Sequence, residues 1–528
     1  MRPTATTEQL FARYGPAYRW YATATVMLGT NSAVLTTTSV NVAIPDIMGA
    51  FGIGQDRAQW LSTGTLAAMT VGMLLNAWLM NNFGQRNTFI GALAVFIVAL
   101  LLAGIAPNEN VLILARIVQG AVAGLLQPLA MYTLFRVFPP DQRGAAMGFF
   151  GMSVILGPAI GPTLGGILID WFNWRFIFFV PMGITALAML IGGVFLPGRE
   201  EENRRVRFDV PGFVLLSVAI ATALTALSNG QREGWQSDYV LTLFLVSLAS
   251  GGAFVAWSLR TDAPLVDLRV FANPQFTAAA AVAVIYGAGI FGSTYLVPLF
   301  VQTVQHATPL AAGLLLMPAG LVMGLLMPLG GYMSDRMSPT VLIMSGLLFF
   351  AVSAFWLAGV DANMPFWTIA FSVVLSRIGL ALIKPALNVT ALRALGPEQL
   401  SQGAGMINFT RQIGGAFGVN LLSVMLDRRT FFHSDTLTAM QTAANSATLE
   451  LLRTMETLLA RAGVPDELQG AGALHFLGKV IHAQAYTMGF RDSFMLVGVV
   501  YVLAMVPAWI MARTVKRKDA ARKTVLAD

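Results

Sequence analysis

Stretches of about twenty apolar residues, each closed by a short polar or basic turn, recur along almost the whole chain. The first begins near Trp20, after the polar segment 1–19, and carries Asn31, Ser32, Thr36 and Asn41 within it. It has no short apolar region leading to a small-residue cleavage site, so it reads as a retained helix and not a signal peptide. Further runs cover 57–79, 87–106, 111–135, 144–168, 176–196, 210–228, 237–257, 276–298, 310–332, 340–359, 366–391, 403–425 and 492–512. The pattern predicts fourteen helices, most of them near the ~20 residues that cross ~30 Å of hydrocarbon. One connection differs. Residues 427–491 form a long polar segment with an amphipathic stretch (Leu449, Leu451, Leu452, Met455, Leu458, Leu459), read as a helical cap over one mouth or as a docking surface.

Composition agrees. Of 528 residues, 56% are hydrophobic and only 11% charged, where a soluble domain carries about 25% charged residues. That excludes an ordinary soluble enzyme and a disordered chain alike. The absence of cysteine excludes disulfides, thiolate metal sites and a cysteine nucleophile, and the four histidines show no zinc-ligand spacing. The net charge of +7 matters through its placement. With the N-terminus in the cytoplasm, the inside segments hold twenty Lys and Arg, and the short outside loops hold three: Arg57, Arg175 and Arg232. This bias puts both termini in the cytoplasm. The basic tail 513–528 then reads as an orientation signal meeting anionic lipid, with no nucleic-acid partner.

Internal repetition follows. The turn Asn81-Asn82-Phe83-Gly84-Gln85-Arg86 after the second run has a counterpart in Ser334-Asp335-Arg336 after the tenth. Leu114-Ala115-Arg116-Ile117 in the fourth run matches Leu375-Ser376-Arg377-Ile378 in the twelfth, each followed by a proline, Pro128 and Pro385. Both pairs lie eight runs apart. The parse is a six-helix bundle at 20–196, an inserted pair at 210–257 and a second six-helix bundle at 276–512.

These residues resemble those of fourteen-helix major facilitator superfamily transporters of the EmrB/QacA drug-efflux type. Gly157-Pro158-Ala159-Ile160-Gly161-Pro162-Thr163-Leu164-Gly165-Gly166 is similar to the antiporter motif of that family, and Arg116 with Gln119 and Gly120 to its fourth-helix motif. Val40-Asn41-Val42-Ala43-Ile44-Pro45 resembles the end of its first helix. The resemblance implies a major facilitator fold and proton-driven efflux with no bound cofactor. In a Gram-negative source it also implies a periplasmic adaptor and an outer-membrane channel. Two positions depart from the family pattern: Thr36 stands where an aspartate is usual, and Asn81-Asn82 replace the charged turn of the first half.

The candidate residues follow from spacing and charge. Gly157, Gly161 and Gly165 recur every four residues and share one helix face, open to close approach by another helix. Pro158 and Pro162 remove backbone donors and loosen it. No carboxylate falls in the middle of a run; the nearest are Asp46, Asp170 and Asp492. Four cations do: Arg116, Arg377, Lys384 and Arg411. A cation at a helix centre costs ~2.5–3.5 kcal/mol on insertion scales, so each should meet a partner or an aqueous cavity. Arg377, Lys384 and Arg411, with Thr36, Asn41 and Gln127, are the candidate cavity residues. Lys384 and Arg411 could instead snorkel towards the membrane boundary. Arg116, Gln119, Asp335, Arg336 and Asp46 are the candidate coupling and gating residues, the charged turn closing the inner mouth as the resemblance implies.

The reading is a secondary active exporter of amphiphilic compounds in the inner membrane. No Walker-type Gly-Lys-Ser/Thr stretch supports an ATP-driven pump. Export of anionic metabolites or fatty-acid-like amphiphiles is the alternative within transport. A channel, or a membrane-embedded enzyme lacking any converging catalytic set, is the alternative from another class.

Overall fold

The computed structural model describes residues 6–58, 60–198, 207–261, 264–442 and 445–513. Those residues form sixteen α-helices, in order α1 (Thr7–Tyr14), α2 (Tyr18–Phe51), α3 (Gln55–Ala58), α4 (Trp60–Gly104), α5 (Glu109–Val137), α6 (Arg143–Trp171), α7 (Phe176–Phe195) and α8 (Val210–Glu233). Then follow α9 (Asp238–Arg260), α10 (Pro274–Thr303), α11 (Pro309–Arg336), α12 (Pro339–Leu357), α13 (Phe366–Arg393), α14 (Leu400–Ala439), α15 (Ser446–Arg461) and α16 (Asp466–Leu503). Ten of them are long and apolar enough to cross a membrane. The basic tail beyond Arg513, and Arg199, Arg204 and Arg205 of the basic loop, lie outside the described residues.

Local chemistry sets the starts. Asn108, Ser237, Asn273 and Thr308 each accept a backbone N–H of the first turn that follows them, and α10 and α11 carry proline in that turn. A single residue separates the two legs of α4. Gly84 takes φ 76° and ψ 167°, which glycine adopts without a Cβ clash, so the turn expected around 80–86 contracts to one non-helical position.

A second boundary differs more. The segment 427–491 is helical over most of its length: α14 continues to Ala439, α15 follows, and α16 starts at Asp466. No proline or glycine occurs between Asn420 and Ala439 to stop α14, and Pro465 sets the start of α16. Leu459 of α15 packs over Gly472 of α16, and Asp492 of α16 accepts from Arg429 and His433 on α14.

Two sets of helices pack mainly among themselves, α2 with α4–α7 and α10–α14 with α16, while α8 and α9 pair beside them. Crossings within each set are built on glycine. Gly72, Gly120 and Gly124 bring the α4 and α5 backbones into contact, Gly346 and Gly379 do so for α12 and α13, and Gly287 and Gly414 for α10 and α14. Small residues of this kind allow the close approach that holds helices together where there is no hydrophobic drive. Asp209 is a buried carboxylate with its acceptors filled. It takes the N–H of Gly212, the indole of Trp257 and the N–H of Leu265, tying α8 to α9 and to the strand of chain before α10.

Candidate functional site

At the end of the bundle rich in arginine, here the basic end, the two sets of helices are locked. Asp335, at the last turn of α11, accepts the N–H groups of Gly144 and Ala145 (2.6 and 2.8 Å) at the start of α6. A carboxylate there meets orphan donors and the positive end of the helix dipole. Gly144 and Gly331 let the α6 and α11 backbones touch, and Gly148 sits against Met327. Beside Asp335, Arg393 donates to the Pro140 carbonyl (2.7 Å), and between α4 and α14 Asn76 donates to the Ser401 hydroxyl (3.1 Å).

Towards the far end the contacts stop. Between α4 and α14 a crevice of about 300 Å³ opens, lined by Thr63, Leu66, Thr70, Phe291, Gln412, Ala416 and Asn420, with Leu224 and Ser228 of α8 at its edge. On α11, Gly313, Gly320 and Gly324 face open space, and Leu314, Met317, Leu321 and Leu325 are exposed.

The buried cations lie between these levels. Arg377 is 5% exposed and donates to Ser293 and Thr294 of α10, both at 3.0 Å. Arg411 donates to Gln127 of α5 (3.0 Å) and to Asn408 (3.3 Å), bridging the two sets. Lys384 is 4% exposed, with Nζ 5.5 Å from the centre of the Phe150 ring on α6. It makes no hydrogen bond or ion pair among the described residues. Lys384 and Arg411 are near enough for their charges to act on each other, and both Arg377 and Arg411 act on the Tyr286 phenol. Tyr501 stacks on Phe350 (3.9 Å, 13°) beside Gly289, and the hydroxyls of Tyr286 and Tyr501 are buried without a partner among the described residues. The result is a polar, cationic layer below the crevice, with no carboxylate in it among the described residues.

The other candidates separate into groups. Arg116 is buried in α5, bonded to Gln119 (3.0 Å), which bonds in turn to the Ala99 carbonyl (3.0 Å); both serve contacts within the first set. Thr36 is buried, its hydroxyl spent on the Ser32 carbonyl (2.9 Å). Gly157, Gly161 and Gly165 lie against Val34, Thr38 and Ser39 of α2, and Ser39 donates to the Gly161 carbonyl (2.8 Å). Gly166 faces open space and Pro158 is exposed. The side chains of Asn41 and Pro162 lie outside the described residues. Asp46 is exposed on α2, and Arg336 is exposed with its guanidinium over the Tyr332 ring (4.4 Å). Sequence reasoning missed Asn76, Ser293, Asn408, Tyr286 and Tyr501. The rule that found the cations would have found Asn76 and Asn408, since both are polar residues inside apolar runs.

The sequence profile of the Major Facilitator Superfamily matches residues 26–419. The chain belongs to that superfamily. It is a multi-pass membrane transporter and not an enzyme, and it is similar to EmrB-type exporters. It is 31% identical to the Multidrug resistance protein B homolog of Mycobacterium tuberculosis (strain H37Rv), over 89% of this chain and 86% of that protein. With the multidrug export protein EmrB of Haemophilus influenzae it shares 28% identity over 92% and 94% of the two chains. With the fatty acid resistance protein FarB of Neisseria gonorrhoeae it shares 29% over 94% and 96%. Among solved structures, the proton:xylose symporter XylE superposes with a TM-score of 0.62 at 15% identity, covering 94% of this chain and 96% of that one, a likeness of fold alone.

Proposed function

We propose that the protein is a secondary active exporter of amphiphilic compounds that works by alternating access and is driven by the proton gradient, with no bound cofactor. The carrying observation is the asymmetry of the contacts between the two sets of helices. They are locked by Asp335, Asn76 and Arg393 at the basic end and parted by the crevice at the far end. That asymmetry supports reading the protein as a carrier facing outward, with the basic end cytoplasmic. The basic-loop bias supports that orientation, with both termini in the cytoplasm of an inner-membrane protein. Counting the two legs of α4 separately, and α2, α6 and α14 as spans, gives fourteen in a six, two and six arrangement. A chain without cysteine suits the test, since cysteines placed at Asn76 and Ser401 report the basic end alone. Crosslinking that pair should stop transport, and reduction should restore it; undiminished transport through a crosslinked pair would rule out alternation at this interface.

Within this reading, the cationic layer favours acidic or neutral amphiphiles over lipophilic cations, in keeping with a relative named for fatty acid resistance. Lys384 is the counter-charge of choice, because Arg377 and Arg411 already hold acceptors and Lys384 holds none. Thr36 offers no carboxylate to carry the coupling proton, and Asp46, exposed on α2, is the first acidic residue to test in that role. The far-end helices α14, α15 and α16 extend well past the apolar runs and suit a periplasmic adaptor, leading to an outer-membrane channel in a Gram-negative cell.

A further inference from the structure

Three of the four histidines in the chain line one groove. His306 comes from the link between α10 and α11, and His475 and His482 from α16, with Lys479, Thr303 and Tyr486 between them around about 710 Å³. On α16 the spacing is i, i+4, i+7 and i+11 for His475, Lys479, His482 and Tyr486, which places all four on one helix face. The His482 ring stacks parallel to Tyr486 (5.9 Å, 11°). His306 closes the opposite wall from a left-handed backbone, φ 53°, the one non-glycine residue with positive φ among those described. Such a conformation is uncommon outside glycine and persists only where the surroundings impose it.

The lining has a definite chemistry. It offers an ammonium and three imidazoles as donors, a floor of Val304, Val480 and Ala483, and no carboxylate. The acidic group that does act here is Asp427 of α14, whose charge reaches the Tyr486 phenol at the inner end. A metal site is a poor fit. His475 and His482 are two turns apart, about 10 Å along the axis, and no three ligands come together among the described residues. The volume is that of a small-molecule site.

We infer that this groove binds the anionic head group of an amphiphile, a carboxylate or phosphate with its chain along the apolar floor, at a site separate from the central cationic layer. The inference rests on the groove alone and stands whether or not the transport reading holds. Two sources share this chemistry, a free single-chain acid and a membrane phospholipid. The test uses full-length protein in non-ionic detergent, in wild-type and Lys384→Gln backgrounds so that binding in the central layer is separated. Calorimetry with laurate, dodecanol and dodecyltrimethylammonium should show laurate preferred. Replacing the exposed pair Lys479→Gln/His482→Gln should weaken laurate about tenfold, the effect of losing charge-assisted bonds, while Lys479→Arg retains it. If the source is lipid, native mass spectrometry should show phosphatidylglycerol retained by the wild type, lost from the double variant and displaced by laurate. Equal laurate binding in the double variant with no lipid lost, or binding of the cation as tight as that of the acid, would overturn the inference.

Discussion

Lys384 of α13 holds its ammonium 5.5 Å from the centre of the Phe150 ring of α6, across the boundary between the two sets of helices. Among the described residues this buried cation meets an aromatic ring and the like charge of Arg411 but no acceptor, which leaves an open position for an anion, since the ring attracts the cation without neutralising it. Lys384→Gln is expected to raise the apparent Km for an acidic amphiphile about tenfold, the effect of one charge-assisted contact, and to leave a neutral substrate unchanged. Kinetics of both substrates in proteoliposomes check this. An equal effect on the two would make Lys384 a packing residue.

Arg377 should behave differently. Its guanidinium is held by Ser293 and Thr294, so it ties α13 to α10 within one set of helices. Arg377→Gln is expected to lower thermal stability, by about 1–3 kcal/mol for the charge-assisted bonds lost, and to impair all substrates alike. A selective loss of acid transport in this variant would make Arg377 a substrate contact instead.

The Asp335 carboxylate fastens α11 to the first turn of α6. Asp335→Ala removes two charge-assisted bonds, and about 2 kcal/mol of preference for the closed basic end should go with them. The yield of crosslinking between cysteines at Asn76 and Ser401 measures that preference, and it should fall in the Asp335→Ala background. An unchanged yield would make the contact incidental.

The glycine face of α6 meets α2 closely enough that any side chain at Gly161 collides with Thr38. Gly161→Leu is expected to reach the membrane and abolish transport, with Gly161→Ala intermediate. Surface labelling and flux together test this, and normal flux in Gly161→Leu would contradict the packing seen here.

Much of this was legible in the sequence, and the reasons for the rest are physical. Apolar run length located the helices because a bilayer fixes span length. The rule against burying charge picked out Lys384 and Arg411. The glycine period of α6 was readable, but its partner was not: only packing shows that Gly161 faces Thr38. Nor could spacing reveal that Arg377 finds acceptors on α10, eighty-odd residues earlier, or that His306 and His482 share a groove. The continuation of α14 to Ala439 was missed because hydropathy marks where a helix leaves the membrane, and nothing in polarity alone says that it ends there.

The orientation has its own test. Reporter fusions at Arg199 and at Glu450 in α15 should report cytoplasm and exterior respectively, and the reverse pattern would invert the gate assigned to Asp335. Removing residues 436–470 should leave flux through the purified protein intact while lowering resistance in cells that supply an adaptor. Full resistance after the deletion would remove the docking role.

The most direct measurement is flux of an acidic amphiphile by the purified protein in proteoliposomes, with and without an imposed proton gradient. Proton-driven alternating access predicts uptake that saturates with substrate, runs against the substrate gradient while the proton gradient lasts, and collapses when an ionophore dissipates it. Flux that rises linearly with concentration, or that ignores the proton gradient, would contradict it.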